Sequence, residues 1–136
     1  MDVTTAMLAD FAQVREGLLM VASGGVARCY RDQLPAPLGV FLATVLELDR
    51  MEAERAHELS VVVVDEDGGQ LVEISGEIQL GENQLMIGEN LNVPITFDLR
   101  NVPVERFGPV EVRLYVDGEH RSTLPIWIMQ TPSPEA

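Results

Sequence analysis

Along several stretches of this chain, apolar and polar residues alternate with a period of two. Val110, Val112, Leu114 and Val116 are interleaved with Glu111, Arg113, Tyr115 and Asp117. Leu91, Val93, Ile95, Phe97 and Leu99 are interleaved with Asn92, Pro94, Thr96, Asp98 and Arg100. Successive side chains of a strand point to opposite faces, so this rhythm builds sheets with one dry and one wet face. The same reasoning predicts a strand over 38–48, where Leu38, Val40, Leu42, Leu46 and Leu48 form one set broken only by Thr44. It also predicts a strand over 70–80, and another over 121–129 with Leu124, Ile126 and Ile128 on one face and Trp127 on the other. Residues 57–64 hold four consecutive valines, apolar on both faces, which suits an interior strand.

The N-terminal segment supports two readings. Met7, Phe11, Val14, Leu18 and Val21 fall at helical spacing. Gly17 in mid-segment, Gly24-Gly25 soon after, and the run Leu18 to Val21 argue instead for a hairpin of strands over 5–14 and 18–31, joined through Arg15-Glu16-Gly17. The hairpin is the reading adopted here. Gln33 to Pro37 reads as a loop, Asp49 to Ala56 allows one helical turn, and Asp65 to Gly69 and Asp117-Gly118 supply turn chemistry. Pro94 and Pro125 each remove a ladder donor, which places their strands at an edge or a bulge.

Seven to eight short strands joined by Gly, Pro and Asp turns predict an all-β fold, an immunoglobulin-like antiparallel β-sandwich with a closed barrel as rival. The 136 residues form a single expected domain, 1–136, with 130–136 a flexible tail. No apolar run approaches the ~20 residues of a membrane-spanning helix, and no basic region precedes an apolar segment at the N-terminus. Cys29 is the only cysteine, so no intrachain disulfide forms, in keeping with an expected cytoplasmic location.

Charge narrows the partners. Against 22 Asp and Glu stand 9 Lys and Arg, all of them arginines, for a formal net charge of −13. Phosphate backbones and anionic lipid would repel such a surface, so neither nucleic acid nor membrane is an expected partner. The missing lysine excludes a P-loop, a Schiff-base amine and a kinase phosphate-pairing lysine.

Candidate chemistry is sparse. His57 and His120 lie in separate segments without ligand spacing, and read as surface histidines. Asp65, Glu66 and Asp67, with Asp117 and Glu119, would suit Ca²⁺ if they converged at one end of the fold, although turn chemistry already explains them. A loop of EF-hand type is absent, because Gln70 and Gly76 stand where Gly and Glu are required. Ser23 has no Gly-x-Ser-x-Gly elbow and Cys29 no nearby His. No catalytic, cofactor or metal residue is assigned. Leu85-Met86-Ile87, in an otherwise polar segment, and Trp127 are the interface candidates, with core packing as the plainer alternative.

The run Leu8-Ala9-Asp10-Phe11-Ala12-Gln13-Val14, then Gly17 to Val21 and Gly24-Gly25, resembles the opening of a group of small bacterial proteins of unknown function. The valine-rich strand entering an Asp-rich Gly turn, Val61 to Gly69, and the closing strand and Asp-Gly hairpin, Gly108 to Gly118, are similar too. The resemblance implies an immunoglobulin-like sandwich, and no catalytic residue is carried over from it. The expected function is a non-catalytic structural or protein-interaction module that binds a protein partner or itself, as a homo-oligomer. Two alternatives carry their own signatures. A small-ligand-binding or hydrolytic domain would gather His57 or His120 with Asp65, Asp67 or Asp117 in a cleft. A Ca²⁺ module would use the loop carboxylates.

Overall fold

In the computed structural model, which describes residues 1–80 and 85–133, the alternating stretches become strands of two principal sheets. In chain order the elements are β1 (Asp2–Arg15), β2 (Leu18–Gly24), β3 (Arg28–Arg31), β4 (Ala36–Pro37), β5 (Phe41–Leu48), α1 (Arg50–Ala53) and β6 (His57–Val64). They continue with β7 (Gln70–Ile78), β8 (Leu91–Asp98), β9 (Pro103–Val104), β10 (Gly108–Val116) and β11 (Glu119–Gln130). The first sheet runs β2-β1-β5-β8 and the second β3-β11-β10-β6-β7; β4 and β9 form a small third pair. Among the described residues the chain is all-β with one short helix, and both large sheets are open, unlike a closed barrel.

The core lies where the alternation placed it. Leu8 and Leu42 of the first sheet share one cluster with Val61, Val63, Val112, Leu114, Ile126 and Ile128 of the second. Leu38, Val40, Leu42, Leu46 and Leu48 are all buried, although the strand itself starts only at Phe41. Gly39, at φ 77°, breaks the ladder, and the Leu38 and Gly39 amides donate instead to the carbonyls of Val102 and Arg100. Thr44 sits in this apolar row at 1% exposure because its hydroxyl donates to the Ile95 carbonyl at 2.8 Å, which removes the cost of burying it.

The hairpin reading of the N-terminal segment holds, with one correction. Glu16 (φ 52°) and Gly17 (φ 75°) both adopt positive φ, the two-residue turn whose twist matches a strand pair, and Arg15 faces Leu18. The expected strand 18–31 is however two strands. At Gly25 (φ 86°) the chain turns, the Gly25 and Val26 amides both donate to the Leu8 carbonyl, and β3 crosses to the second sheet. There it pairs in parallel with β11, the only parallel pairing among the described strands.

The hairpin also covers the outer side of its own sheet. Phe41 and Ala43, on the opposite face of β5 from Leu42, cluster with Ala12, Met7, Leu19 and Val21. The Phe11 ring meets Phe41 edge-on at 5.3 Å, and the Arg100 guanidinium lies 4.7 Å over the same ring. Both prolines stand in the ladder, Pro94 opposite Val45 and Pro125 opposite Glu111, with no described strand paired on their other side. β8 is an edge strand, and β11 gains β3 as a neighbour only from Trp127 onward, two residues past Pro125. The Thr131 amide still donates to the Arg31 carbonyl; residues 134–136 of the expected tail lie outside the described residues.

Candidate functional site

One end of the molecule carries a built apolar surface, and α1 organises it. Asp49 caps the helix: its Oδ1 accepts the Glu52 amide at 2.8 Å, while Glu52 Oε1 accepts the Asp49 amide at 3.0 Å. Ala53 turns inward to join Leu46, Leu48, Leu59 and Val116, so Arg50 and Met51 are left facing out. Arg50 Nη2 donates to the Leu85 carbonyl at 2.8 Å and ties the 85–90 segment to the helix. That segment is itself a turn, with the Glu89 amide donating to the Met86 carbonyl and the Met86 amide to Glu89 Oε1. The result is Met51 at 76%, Met86 at 73% and Ile87 at 98% exposure, beside a shallow concavity of about 360 Å³. Asp49 and Glu89 rim this concavity, and Glu47 stands behind it, accepting the Asn90 side-chain amide.

Beneath the helix lies a charged anchor. His57 is 2% exposed, which corrects the surface reading: it occupies the inward set of β6 with Leu59, Val61 and Val63. Its Nδ1 is 2.7 Å from Asp117 Oδ2 and its Nε2 is 2.6 Å from the Glu52 carbonyl oxygen. Both partners are acceptors, so the two contacts are satisfied together only when both ring nitrogens carry a proton. Burial pushes the His57 pKa down, but the hydrogen bonds to Asp117 and to the Glu52 carbonyl outweigh it and the net shift is upward. The His57 ring and the Glu58 amide, which Oδ1 accepts at 2.9 Å, hold the Asp117 carboxyl below its ordinary range. Asp117 itself sits at φ 50° in the two-residue turn before β11, where the short side chain of Asp tolerates positive φ.

The sequence candidates separate. Leu85 is half-buried, whereas Met86 and Ile87 are exposed at the α1 end. Trp127, 49% exposed on the wet face of β11, pairs with Pro109 at the start of β10, while Asp117 follows its finish. The two candidate groups therefore occupy opposite ends of the fold. The acidic turns fail to converge for the same reason. Asp65 follows β6 and Asp117 bonds to its second residue, a separation of roughly 23 Å along the strand.

Asp65 Oδ1 accepts the Asp67 and Gly69 amides, and Arg106 bridges Asp65 and Asp67 at 3.1 and 2.6 Å. The Gly69 amide and then the Arg106 guanidinium hold the Asp65 carboxyl below its usual range. Among the described residues no group of three or more His, Cys, Asp or Glu is placed to hold a metal ion. Of the pairings asked for by the hydrolytic alternative, His57 with Asp117 is present, yet both His57 nitrogens are committed and neither is free to act as a base. His120 is exposed on the outer face, bonded to Thr123 Oγ1 and tilted against Tyr115.

Sequence reasoning missed Met51, although the Asp49-x-x-Glu52 capping spacing was there to mark the helix that carries it. It also missed Leu18, 71% exposed at the tip of the first hairpin. No helix among the described residues is long and apolar enough to cross a membrane. In comparisons with known proteins, residues 4–129 match the model of a family of unknown function, DUF6941. No curated protein matches the chain.

Proposed function

The chain belongs to the DUF6941 family of unknown function, and from that premise we propose that it is a non-catalytic interaction module, docking a protein partner through its α1 end. The observation that carries this reading is the surface of Met51, Met86 and Ile87, each at least 73% exposed yet held in place by a capped helix and the Arg50–Leu85 hydrogen bond. Large side chains left out of the core and fixed by polar contacts are suited to fill pockets on a second protein. The partner's chemistry follows from the rim. Asp49 and Glu89 line the concavity together with Arg50, whose guanidinium is bonded to the Leu85 carbonyl, and Glu47 lies behind Asn90, on a chain of net charge −13. A segment with apolar anchors flanked by arginine or lysine is complementary, whereas a second copy of this acidic chain is not.

The scaffold is read as an immunoglobulin-like sandwich. Taking β5, β6, β7, β8, β10 and β11 as strands B, C, C′, E, F and G supports this: B neighbours E in one sheet, and C, F and G are successive neighbours in the other. β1 then takes the place of strand A beside B, and β2 is an addition to that plan.

A photo-reactive residue substituted for Ile87 tests the docking reading. Crosslinking to a segment rich in apolar and basic residues is the expected result. Crosslinks only to a second copy of the chain, or none under conditions where the protein is folded, would overturn it.

A further inference from the structure

The strongest unassigned feature of the molecule is a buried histidine, held between two acceptors, that touches the docking end from below. His57 joins its own strand β6 to the turn between β10 and β11, sixty positions on, through Asp117, and to α1, just before it in the chain, through the Glu52 carbonyl. We infer that His57 is a proton-operated latch, closed when the imidazole carries both protons and holding α1, with Met51 and the Arg50-tethered 85–90 turn, in its docking arrangement. The inference rests on the docking reading only for its consequence; the latch itself is a property of the free chain.

Geometry dictates what happens when the proton leaves. A neutral imidazole has one N–H and one lone pair. If Nε2 keeps the proton, the Nδ1 lone pair faces the Asp117 carboxylate 2.7 Å away. If Nδ1 keeps it, the Nε2 lone pair faces the Glu52 carbonyl oxygen 2.6 Å away. Either tautomer turns one attraction into a repulsion. The carboxylate is the stronger acceptor, so Nδ1 keeps its hydrogen and the contact with α1 is the one released.

The groups around the ring favour this assignment. From α1, Glu52 presents its carbonyl to Nε2, while its carboxylate is taken by the Met1 ammonium and by the Asp49 amide. Arg55, just past the helix, acts against the protonated ring, and Asp117 acts for it. On β6 and β7, Glu58 and Glu77 face each other on the opposite side of the sheet from His57, and Ile78 is its cross-strand neighbour. Asp117 is thus the one carboxylate bonded to the ring, and the Glu52 carbonyl is the contact that can yield without breaking a strand.

After release α1, four residues long, keeps its buried Ala53, the Met1–Glu52 ion pair and the Arg50–Leu85 hydrogen bond, so loss of the His57 contact loosens the helix on these remaining ties rather than detaching it. The strands β6 and β10 keep their full ladder in either state.

The test is hydrogen exchange by mass spectrometry on the free full chain between about pH 5.5 and about pH 8.5, normalised for the intrinsic pH dependence of exchange. It is paired with an NMR titration of the His57 ring. Protection of 50–56 and 85–90 is expected to fall as His57 loses its proton, by roughly tenfold in the opening equilibrium for each unit by which closure raises its pKa, with β6 and β10 unchanged. Asp117→Asn keeps the turn and the acceptor but removes the charge, and it is expected to move the transition to lower pH; His57→Gln is expected to abolish it.

Protection that stays constant across the His57 titration would overturn the latch. So would a transition left in place by both variants. No partner is present in these measurements, so their failure leaves the docking reading standing, and a failed crosslink at position 87 leaves the latch standing.

Discussion

His57 and Asp117 lie sixty positions apart and meet at 2.7 Å, because β6 and β10 run antiparallel and the first residue of one reaches the turn that follows the other. This contact makes the fold's stability depend on pH in a direction that can be worked out. The pKa of His57 is raised above its ordinary 6.5 in the folded chain, so its contribution is complete below about pH 6.5 and is lost as pH rises through the raised value. The pKa of Asp117 is lowered from 3.8, so its contribution is complete above that value and is lost as pH falls through the lowered one. The melting temperature is expected to fall on the alkaline side of about pH 6.5, and His57→Gln to remove that limb when the two profiles are overlaid. Asp117→Ala at pH 6 is expected to cost about 2 kcal/mol by urea denaturation, the range for a hydrogen bond to a charged group.

Half of that relationship was legible in the sequence. His57 opens an alternating run whose inward set is Leu59, Val61 and Val63, so its burial follows from the pleat once the register is fixed. The Asp117-Gly118 turn was equally plain. What no local pattern carries is which strand lies beside β6, and hence that the turn after β10 arrives at its first residue. The same gap left open whether Asp65 and Asp117 converge at one end, and antiparallel pairing sends them to opposite ends. It also hid the crossing of β3 to a parallel partner, since Gly24-Gly25 marks a turn without saying which sheet follows.

Two leucines of the same size on the first sheet predict opposite outcomes. Leu42 is 1% exposed and packed between both sheets, so Leu42→Ala leaves a cavity and is expected to cost about 3 kcal/mol. Leu18 is 71% exposed at the hairpin tip, and Leu18→Ala is expected to stay within about 0.5 kcal/mol of the parent. Chemical denaturation of both variants against the wild type measures the difference. A large loss at Leu18 would mean that the hairpin is covered in solution.

Gly17 separates conformational strain from packing. At φ 75° it has nothing within 4 Å of the position a Cβ would take, so a side chain there meets no atom and bears only the cost of left-handed backbone. Gly17→Ala is expected to destabilise the protein by about 1 kcal/mol, read as a lower denaturation midpoint with an unchanged slope. Gly17→Asn, which tolerates this region better, is expected to recover part of the loss.

The docking end makes its prediction through the contrast between stability and binding. Met86 and Ile87 touch little of the core, so the double variant Met86→Glu, Ile87→Glu is expected to melt within about 2 °C of the parent, a shift of a few tenths of a kcal/mol in a domain this size. The same change sets two carboxylates among Asp49, Glu89 and Glu47, in place of two anchors. Anchors of this kind are worth about 1–2 kcal/mol each, so affinity for the partner crosslinked at position 87 is expected to fall at least tenfold, measured by titration calorimetry. Trp127→Ala serves as the control. It is half exposed at the far end of β11, and it is expected to leave that affinity unchanged. Equal loss from both variants would place the binding surface on neither end alone, and would assign the exposed methionines and Ile87 no recognition role of their own.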